Sequence, residues 1–225
     1  MSESESESEF SIRPVANLTP AQIDECVSVC IRAYGDDIAV NALVGGDASL
    51  RDPFFRSMVN ACNADGLVYL ALGKLERIAG VGLWVAPGQD LFGTPEKRQA
   101  CGFDGFWKRL SLEAQKWWTE DYMGGMTKFI TEKLVSTGKR KNESFWCSVI
   151  ATDPDFQRKG IATAHCQALY ERAIAENTQI ALCATNEQNI KTYVGMGLTV
   201  RGRTQIGVPA NMETITMPVA LLTRG

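Results

Sequence analysis

The stretch from Thr152 to Ala162 is the part of this sequence whose residue types and order most directly suggest chemistry. It reads as the end of a strand, a polar turn and the start of an amphipathic helix. N–H groups in the first turn of a helix lack intrahelical partners, and the helix dipole adds partial positive charge there. Gly160 lets the backbone approach a ligand closely, and Arg158 and Lys159 add charge. The turn 157–162 therefore predicts an anion site suited to a pyrophosphate.

Taken alone, this turn is equally compatible with an ordinary basic loop. It lacks the spacing and the Lys-Ser/Thr ending of a Walker loop, and it has one glycine where the dinucleotide fingerprint needs three. A second segment adds to it about two dozen residues later. There Asn186 is followed by Tyr193 after seven positions and by Gly197 after four more.

These two segments together resemble the GNAT family of N-acetyltransferases, which transfer an acyl group from acyl-CoA to an amine. The turn fits the family's phosphate loop, Gln/Arg-x-x-Gly-x-Gly/Ala, through Gln157, Gly160 and Ala162. The later segment fits the family's asparagine, tyrosine and glycine spacing, with Leu198 where an aromatic residue usually stands. The resemblance covers nearly the whole globular part except residues 89–142, which resemble helical insertions of fungal-type members.

Hydrophobic periodicity, caps and turn residues predict the elements that would position these segments. The predicted helices are 20–34, 49–64, 103–119, 121–136, 161–177 and 186–196, and the predicted strands are 10–15, 67–72, 78–85, 145–152, 180–184, 198–206 and 212–218. The resemblance implies a mixed α/β fold, the acyl-CoA N-acyltransferase fold. This is a twisted, mostly antiparallel sheet of about seven strands with one splayed parallel pair, flanked by helices, here with a helical insertion.

The resemblance also implies a role for each matching residue. The residues expected to hold acetyl-CoA are Ile150, Ala151, Thr152, Gln157, Arg158, Lys159, Gly160, Ile161, Ala162 and Asn186. The turn would bind the pyrophosphate through backbone amides, and the strand ending at Thr152 would offer free backbone groups to the pantetheine arm. The amide of Ile150 could polarise the thioester carbonyl, and Asn186 would lie near the pantetheine.

Tyr193 is the candidate general acid for the departing thiolate. A phenol has an unperturbed pKa near 10, so it holds a proton at neutral pH, and positioned acid catalysis contributes roughly 10²–10⁴-fold. The alternative is a packing tyrosine with a satisfied hydroxyl. Cys147 lies on the same central strand as Ile150, but direct transfer needs no acyl-cysteine.

The general base stays open at the level of sequence. The candidates are His165, Asp36, Asp37, Asp90, Glu120, Asp121 and Glu143, and solvated surface is the competing explanation for each carboxylate. His165 is the one imidazole, but it follows the phosphate loop and is expected to lie far from the acceptor. Asp36, Asp37 and Trp84 are the candidate contacts for the amine substrate.

Composition narrows the class of protein. The chain has 225 residues, a formal net charge of -3 and a pI near 5.4, which argues against bulk phosphate neutralisation on nucleic acid. No apolar run approaches the roughly 18–20 residues that span a bilayer, and the Ser/Glu alternation of residues 1–9 has no signal-peptide character and predicts a disordered acidic tail. The seven scattered cysteines indicate reduced thiols, and no ligand set indicates a metal. A cytoplasmic location is expected, with the nucleus as the other option.

We therefore predict an acetyl-CoA-dependent N-acetyltransferase, with acetyl-CoA as co-substrate, that acts on a small primary amine by direct transfer in a ternary complex. Residues 10–225 would form one domain, a monomer or homodimer, with the 89–142 insertion as a candidate lid. Two alternatives stay open: acetylation of a protein or peptide amine, and a CoA-binding module without catalysis. No nucleic-acid or membrane partner is expected.

Overall fold

A seven-stranded twisted sheet forms the centre of the computed structural model, which describes residues 10–212 and 216–225. The acidic tail predicted for residues 1–9 lies outside the described residues. The strands are β1 (Ser11–Val15), β2 (Leu67–Leu72), β3 (Ile78–Val85), β4 (Phe145–Thr152), β5 (Ile180–Ala184), β6 (Thr199–Gly207) and β7 (Thr216–Arg224). They lie in the order β1-β2-β3-β4-β5-β7-β6, and every neighbouring pair is antiparallel except β4 and β5. The predicted fold class is confirmed.

Helices cover both faces of this sheet. They are α1 (Pro20–Tyr34), α2 (Ile38–Leu43), α3 (Arg51–Asp65), α4 (Pro95–Cys101), α5 (Phe103–Arg109), α6 (Leu112–Trp117), a π-helical turn (Trp118–Tyr122), α7 (Met123–Leu134), α8 (Ile161–Ala175) and α9 (Glu187–Gly195). The helices α1 and α3 pack on one face together with the insertion, and α8 and α9 pack on the other. Two large buried clusters result, which we call the first core and the second core respectively, and a third, small cluster groups Ala71, Ala79 and Ile161.

Local sequence signals account for the helix starts. Thr19 caps α1 because its hydroxyl accepts from the Gln22 amide, while the Gln22 side chain accepts from the Thr19 amide at 3.0 Å. Pro20 occupies the first helical position, where its missing N–H costs nothing. Gly160 precedes α8 in the left-handed region, with φ 83°, a conformation that favours glycine.

The central strand β4 is irregular at its middle. Leu83 of β3 faces Val149, but the next β3 residue, Trp84, faces Cys147, so Ser148 has no partner on β3. This is a β-bulge, and it switches the alternation of side chains. Before it Cys147 packs with the second core, and beyond it Val149 packs in the first core.

The parallel pair β4–β5 separates almost at once. The two strands are paired only where Phe145 faces Ile180 and Trp146 faces Ala181. From residue 147 onward β4 has no strand neighbour on that side within the described chain, so its backbone edge opens into a gap. The splayed pair that the resemblance implied is therefore present.

The insertion and the last strand differ from the predicted elements. The predicted helices 103–119 and 121–136 are divided in the wrong place. The chain turns at Leu110 (ψ 144°), where the Ser111 hydroxyl caps α6, and it stays helical from α6 through the π-helical turn into α7. The last strand spans Thr216–Arg224 where 212–218 was predicted. Pro218 was taken as its end, but β5 pairing begins only at Ala220, so the missing proline N–H interrupts no ladder there.

Candidate active site

A cavity of about 780 Å³ lies where β4 and β5 separate. One end is formed by the turn before α8 and by α9, and the other end by α1, α2, α3 and part of the insertion. We call these the loop end and the helical end. The lining includes Tyr34, Asp37, Phe54, Phe55, Met58, Tyr122, Met126, Trp146, Cys147, Ser148, Ile150, Thr152, Gln157, Arg158, Gly160, Ile161, Ala162, Asn186 and Tyr193.

The loop end has the geometry of an anion site. The first amide of this turn to bond within α8 is that of Ala164, 2.9 Å from the Gly160 carbonyl oxygen. The amides of Ile161 and Ala162 thus lie at the open start of a 15-residue helix. Arg158 also has a positive φ, 62°, and a Cβ on Gly160 would meet nothing within 4 Å. The residues present therefore fit a phosphate group held against the backbone.

A buried carboxylate braces this turn against the rest of the sheet. Asp153 directly follows β4 and is 1% exposed. Its Oδ2 accepts from Arg32 at 2.5 Å and from Arg77 at 3.4 Å, and its Oδ1 accepts from the Asp155 amide at 3.1 Å. Burial raises the pKa of Asp153, but the Arg32 guanidinium and the other donors outweigh it, so the pKa lies below its usual range.

The cavity brings together most of the residues predicted to hold acetyl-CoA. Eight of the ten line it: Ile150, Thr152, Gln157, Arg158, Gly160, Ile161, Ala162 and Asn186. Ala151 does not, because its side chain faces the first core and is 1% exposed. Lys159 does not line it either; its Nζ lies 5.2 Å from the ring centroid of Phe156.

Tyr193 lies on the wall of the cavity beside the free edge of β4. The residue as a whole is half-buried, while its hydroxyl is desolvated. Burial, followed by the neighbouring Cys147 thiol and the Tyr34 hydroxyl, raises the pKa of Tyr193 well above its ordinary value. The phenol of Tyr193 is therefore protonated throughout the neutral range. Asn186 starts the same helix, α9, and its side-chain oxygen accepts from the Asn189 amide at 2.8 Å.

Cys147 is the thiol closest in sequence to the bulge. Burial raises its pKa well above the ordinary value, and the nearby thiols of Cys166 and Cys62 act in the same direction. A thiol rather than a thiolate is thus present at neutral pH, and the thiolate is the reactive nucleophile. The environment does not activate Cys147 for an acyl-enzyme step.

Among the carboxylates proposed from sequence, Asp37 alone lines the cavity in the described part of the chain. The side chain of its neighbour Asp36 is 105% exposed and has one distant cation, Arg51 at 3.9 Å. Asp36 therefore does not contact a substrate in this cavity, and that expectation is corrected. The helix start explains the difference, since Asp37 turns inward to cap α2.

Trp84 is the second correction. It is fully buried in the second core and does not line the cavity. Its side chain belongs instead to the same buried cluster as Phe145 of β4 and Leu169 of α8.

His165 is sealed beneath the sheet. It is 0% exposed, and neither ring nitrogen has a hydrogen-bond partner in the described residues. Its imidazole packs on Gly82, where an added Cβ would lie 2.8 Å from Nδ1. Burial lowers the pKa of His165 to about 4. A neutral, enclosed imidazole outside the cavity is not placed to accept a proton from a substrate.

Several residues of the helical end were missed by the sequence reasoning. Tyr34 donates from its hydroxyl to the Ile150 carbonyl at 3.4 Å. Phe54 and Phe55 of α3 face the cavity, and so do Tyr122 and Met126 of the insertion. Their helical spacing correctly indicates that they are buried. Periodicity cannot show whether the apolar face of a helix lies against a core or against a cavity.

No group of three or more metal-ligating side chains comes together within 10–212 and 216–225. No helix there has both the length and the apolar character needed to cross a bilayer.

Fold and site together define an acyltransferase of the mixed α/β class, and comparison with known proteins agrees. The model of the acetyltransferase (GNAT) family matches residues 96–198, which includes the turn before α8 and the start of α9. Over this segment the chain is similar to the GNAT acetyltransferases, and its fold is the one that solved GNAT structures have. No curated protein sequence is significantly similar to it.

Solved structures share the fold at low sequence identity. A protein described as histone acetyltransferase HPA2 and related acetyltransferase, from Corynebacterium glutamicum, is 18% identical with a TM-score of 0.57, over 95% of each chain. Arylalkylamine N-acetyltransferase 2 from Aedes aegypti is 14% identical with a TM-score of 0.60, over 95% of this chain and 98% of that one. Polyamine N-acetyltransferase from Drosophila melanogaster is 9% identical with a TM-score of 0.56, over 95% and 99%. At these identities the likeness shows the fold; the fungal-type subgroup stays a prediction.

Proposed function

We propose that this protein transfers an acetyl group from acetyl-CoA to the primary amine of a small molecule, in one step within a ternary complex. The observation that carries the proposal is that one cavity is lined by the turn 157–162, by the unpaired edge of β4 and by Tyr193. Residues 10–225 would act as one acyltransferase domain.

The loop end is the proposed site of the CoA pyrophosphate. The backbone amides at the start of α8, those of Ile161 and Ala162, and the Arg158 guanidinium supply donors and positive charge, and the open space at Gly160 admits the anion. Beyond it, the unpaired part of β4 offers backbone groups at Ile150 and Thr152 to the amide-containing pantetheine arm. Bound acetyl-CoA supplies the activated thioester.

Tyr193 and the β4 backbone are the proposed catalytic groups. The Ile150 amide would stabilise negative charge on the thioester oxygen as the amine nitrogen forms its C–N bond. Tyr193 would give its proton to the sulfur as the C–S bond breaks, which its raised pKa allows because the proton is retained until then. The neutral amine nitrogen loses one proton to solvent as the amide forms, and solvent returns a proton to Tyr193. Cys147 stays a spectator thiol.

The helical end is the proposed acceptor site. Its walls come from α1, α2, α3 and the start of α7, so an acceptor reaches the free edge of β4 between these helices. Walls from several helices favour a small molecule over a peptide chain, which needs a long open groove. Tyr122 and Met126 would be the insertion's contribution to covering it. The names of the insect enzymes, which specify small amines, point in the same direction.

Calorimetric titration with acetyl-CoA tests the loop end. The informative variant is Gly160→Asp, which places a carboxylate in the anion site. Gly102→Asp is a matched control, because Gly102 also precedes a helix, has φ 88° and ψ 4° against 83° and 6°, and has open space at its Cβ. We expect micromolar binding that Gly160→Asp weakens at least about 100-fold and that Gly102→Asp leaves unchanged.

Two results would count against the proposal. Absence of acetyl-CoA binding to the wild-type protein would remove its basis. Tight binding without release of free CoA thiol across a broad amine panel would instead favour a CoA-binding module without catalysis.

A further inference from the structure

The free edge of β4 has a definite hydrogen-bonding direction at Ile150. Just beyond the strand, the amide of Asp153 donates to the Ala79 carbonyl at 3.0 Å. In an antiparallel ladder this bond makes the preceding pair, Thr152 and Gly80, a non-hydrogen-bonded pair. The register is regular from there back to Ile150, and the two kinds of pair alternate along the strands. The N–H and C=O groups of Ile150 therefore point away from β3, into the gap beside β5.

The Ile150 carbonyl that points into this gap accepts from the hydroxyl of Tyr34. The two oxygens are 3.4 Å apart, and both residues line the cavity. A phenol has one proton to donate, and its oxygen can also accept a hydrogen bond. Because the proton of Tyr34 is directed at Ile150, the group that Tyr34 presents to a ligand is its acceptor oxygen.

Two contacts fix the position of Tyr34 at the end of α1. Its ring centroid lies 5.3 Å from that of Phe55 in α3, and its backbone carbonyl accepts from the Asp37 amide at 2.6 Å. The residue is half-buried, and burial of its hydroxyl raises the pKa of Tyr34 well above the ordinary value. The phenol is thus neutral at neutral pH, so it holds a hydrogen bond but does not act as a base.

Tyr193 lies near Tyr34 but is placed for the opposite role. The two hydroxyls are close enough for Tyr34 to raise the pKa of Tyr193, and the thiol of Cys147 raises the pKa of both. Within the described part of the chain the Tyr193 hydroxyl has no hydrogen-bond partner of its own. Its proton is therefore available to the thioester sulfur, whereas the oxygen of Tyr34 is available to a donor.

A neutral amine is a donor that fits this arrangement. Its nitrogen has one lone pair, which must point at the thioester carbon, and an acceptor for one of its N–H bonds fixes that direction. Tyr34 contacts the same residue, Ile150, whose amide is the proposed partner of the thioester oxygen. His165 and Asp36, which the sequence offered as proton acceptors, do not line the cavity.

We propose that Tyr34 is a catalytic residue whose hydroxyl oxygen accepts a hydrogen bond from an N–H of the neutral amine and so aims the nitrogen lone pair at the thioester carbon. This rests on the proposed function and deepens it. The lone pair forms the C–N bond, and the electrons of the C–S bond pass to the sulfur, which takes the Tyr193 proton. The nitrogen loses one proton to solvent, and Tyr34 keeps its own proton throughout.

The substitution Tyr34→Phe tests this role, because it removes the oxygen and leaves the ring against Phe55. Release of CoA thiol is measured with 2-phenylethylamine, hexylamine and 1,6-diaminohexane at saturating acetyl-CoA. For each amine that the wild-type protein acetylates, we expect kcat/KM to fall about 10-fold or more. The acetyl-CoA dissociation constant should stay within about twofold. Tyr170→Phe is the matched control and should change neither, because Tyr170 lies outside the cavity, with the Arg224 guanidinium 3.7 Å from its ring centroid.

An infrared measurement separates this role from a purely structural one. When acetyl-CoA carries carbon-13 at the thioester carbonyl, the frequency of that band reports the hydrogen bond from the Ile150 amide. If Tyr34 positions the amine, the band of the bound thioester is the same in the wild-type protein and in Tyr34→Phe while the rate falls. A band that moves toward that of free acetyl-CoA would mean that Tyr34 only holds β4 in place, and the proposal would be wrong.

Failure of the proposed function gives a different result. If the wild-type protein releases no CoA thiol with any amine of the panel, the proposed function fails and the role of Tyr34 fails with it. If the wild-type protein is active and Tyr34→Phe behaves like Tyr170→Phe, the enzyme is established and only the assignment of Tyr34 is refuted.

Discussion

The single histidine of this chain should make its stability strongly dependent on pH between 7 and 4. His165 is fully buried, and burial lowers its pKa to about 4 from the ordinary 6.5. Below pH 6.5 the imidazole binds a proton in the unfolded chain but not in the folded protein, so the free energy of unfolding falls as the pH falls. The loss begins near 6.5 and is complete near 4.

Its magnitude follows from the gap between the two pKa values. One pKa unit corresponds to about 1.4 kcal/mol, so the full loss is about 3 kcal/mol. At pH 5 the difference in proton binding gives about 2 kcal/mol relative to pH 7. That is a large fraction of the roughly 5–15 kcal/mol that stabilises a typical domain.

Urea denaturation followed by tryptophan fluorescence at pH 7, 6 and 5 measures this loss. Carboxylates also titrate in that range, so the comparison is with His165→Leu, which has no titrating group at this position. The wild-type protein should lose about 2 kcal/mol more than the variant between pH 7 and pH 5. Without a histidine tag, the chain has one imidazole, so a single Hε1 signal in the proton NMR spectrum reports the pKa of His165 directly.

Parallel pH dependence in the two proteins would refute the reasoning. So would an NMR titration midpoint near 6.5, because it would mean that the imidazole reaches water in the folded state. A kcat that follows the titration of His165 would instead restore it as a candidate base.

Three further outcomes follow from the same geometry. Tyr193→Phe should lower kcat by about 10²–10³-fold with little change in acetyl-CoA affinity, and full kcat with a competent amine would remove its role as acid. Asp153→Asn should lower the free energy of unfolding by about 2 kcal/mol. This is less than for a fully enclosed ion pair, because both arginines reach solvent. The same variant should bind acetyl-CoA more weakly, as measured by calorimetry. Gly80→Ala should cost about 1–3 kcal/mol in urea denaturation, since its Cβ would lie 2.6 Å from Ile161 Cγ2; Gly105→Ala, with open space, should not destabilise the protein.

The loop end was predictable from sequence because its geometry is local. Gly160 and the strand before it indicate a helix start with free amides. Eight of the ten residues predicted to hold acetyl-CoA line the cavity. One of the two exceptions is Ala151. Its side chain points to the opposite core because the bulge shifts the alternation of β4, and no residue type at positions 147–149 signals a bulge.

The helical end could not be chosen from sequence. Asp36 and Asp37 are adjacent and chemically identical, yet one caps α2 against the cavity and the other faces water. By residue type, Trp84 is a reasonable candidate for a substrate contact. In the structure it faces Cys147 across β3 and β4, and its side chain lies in the second core. These distinctions depend on which face of a neighbouring element each side chain meets.

The amino-acid sequence by itself determined the elements that rest on near neighbours: the caps of α1 and α8, the β2–β3 hairpin, and the motif that indicates an acetyl-CoA-dependent transferase. The tertiary structure alone decided which parts of those elements meet. The cavity joins residues from Ala33 to Val219, and its gap exists because β4 and β5 stop pairing after Trp146. Caps and turns depend on hydrogen bonds within a few residues, whereas a site assembled across a sheet depends on register and packing between segments far apart in the chain.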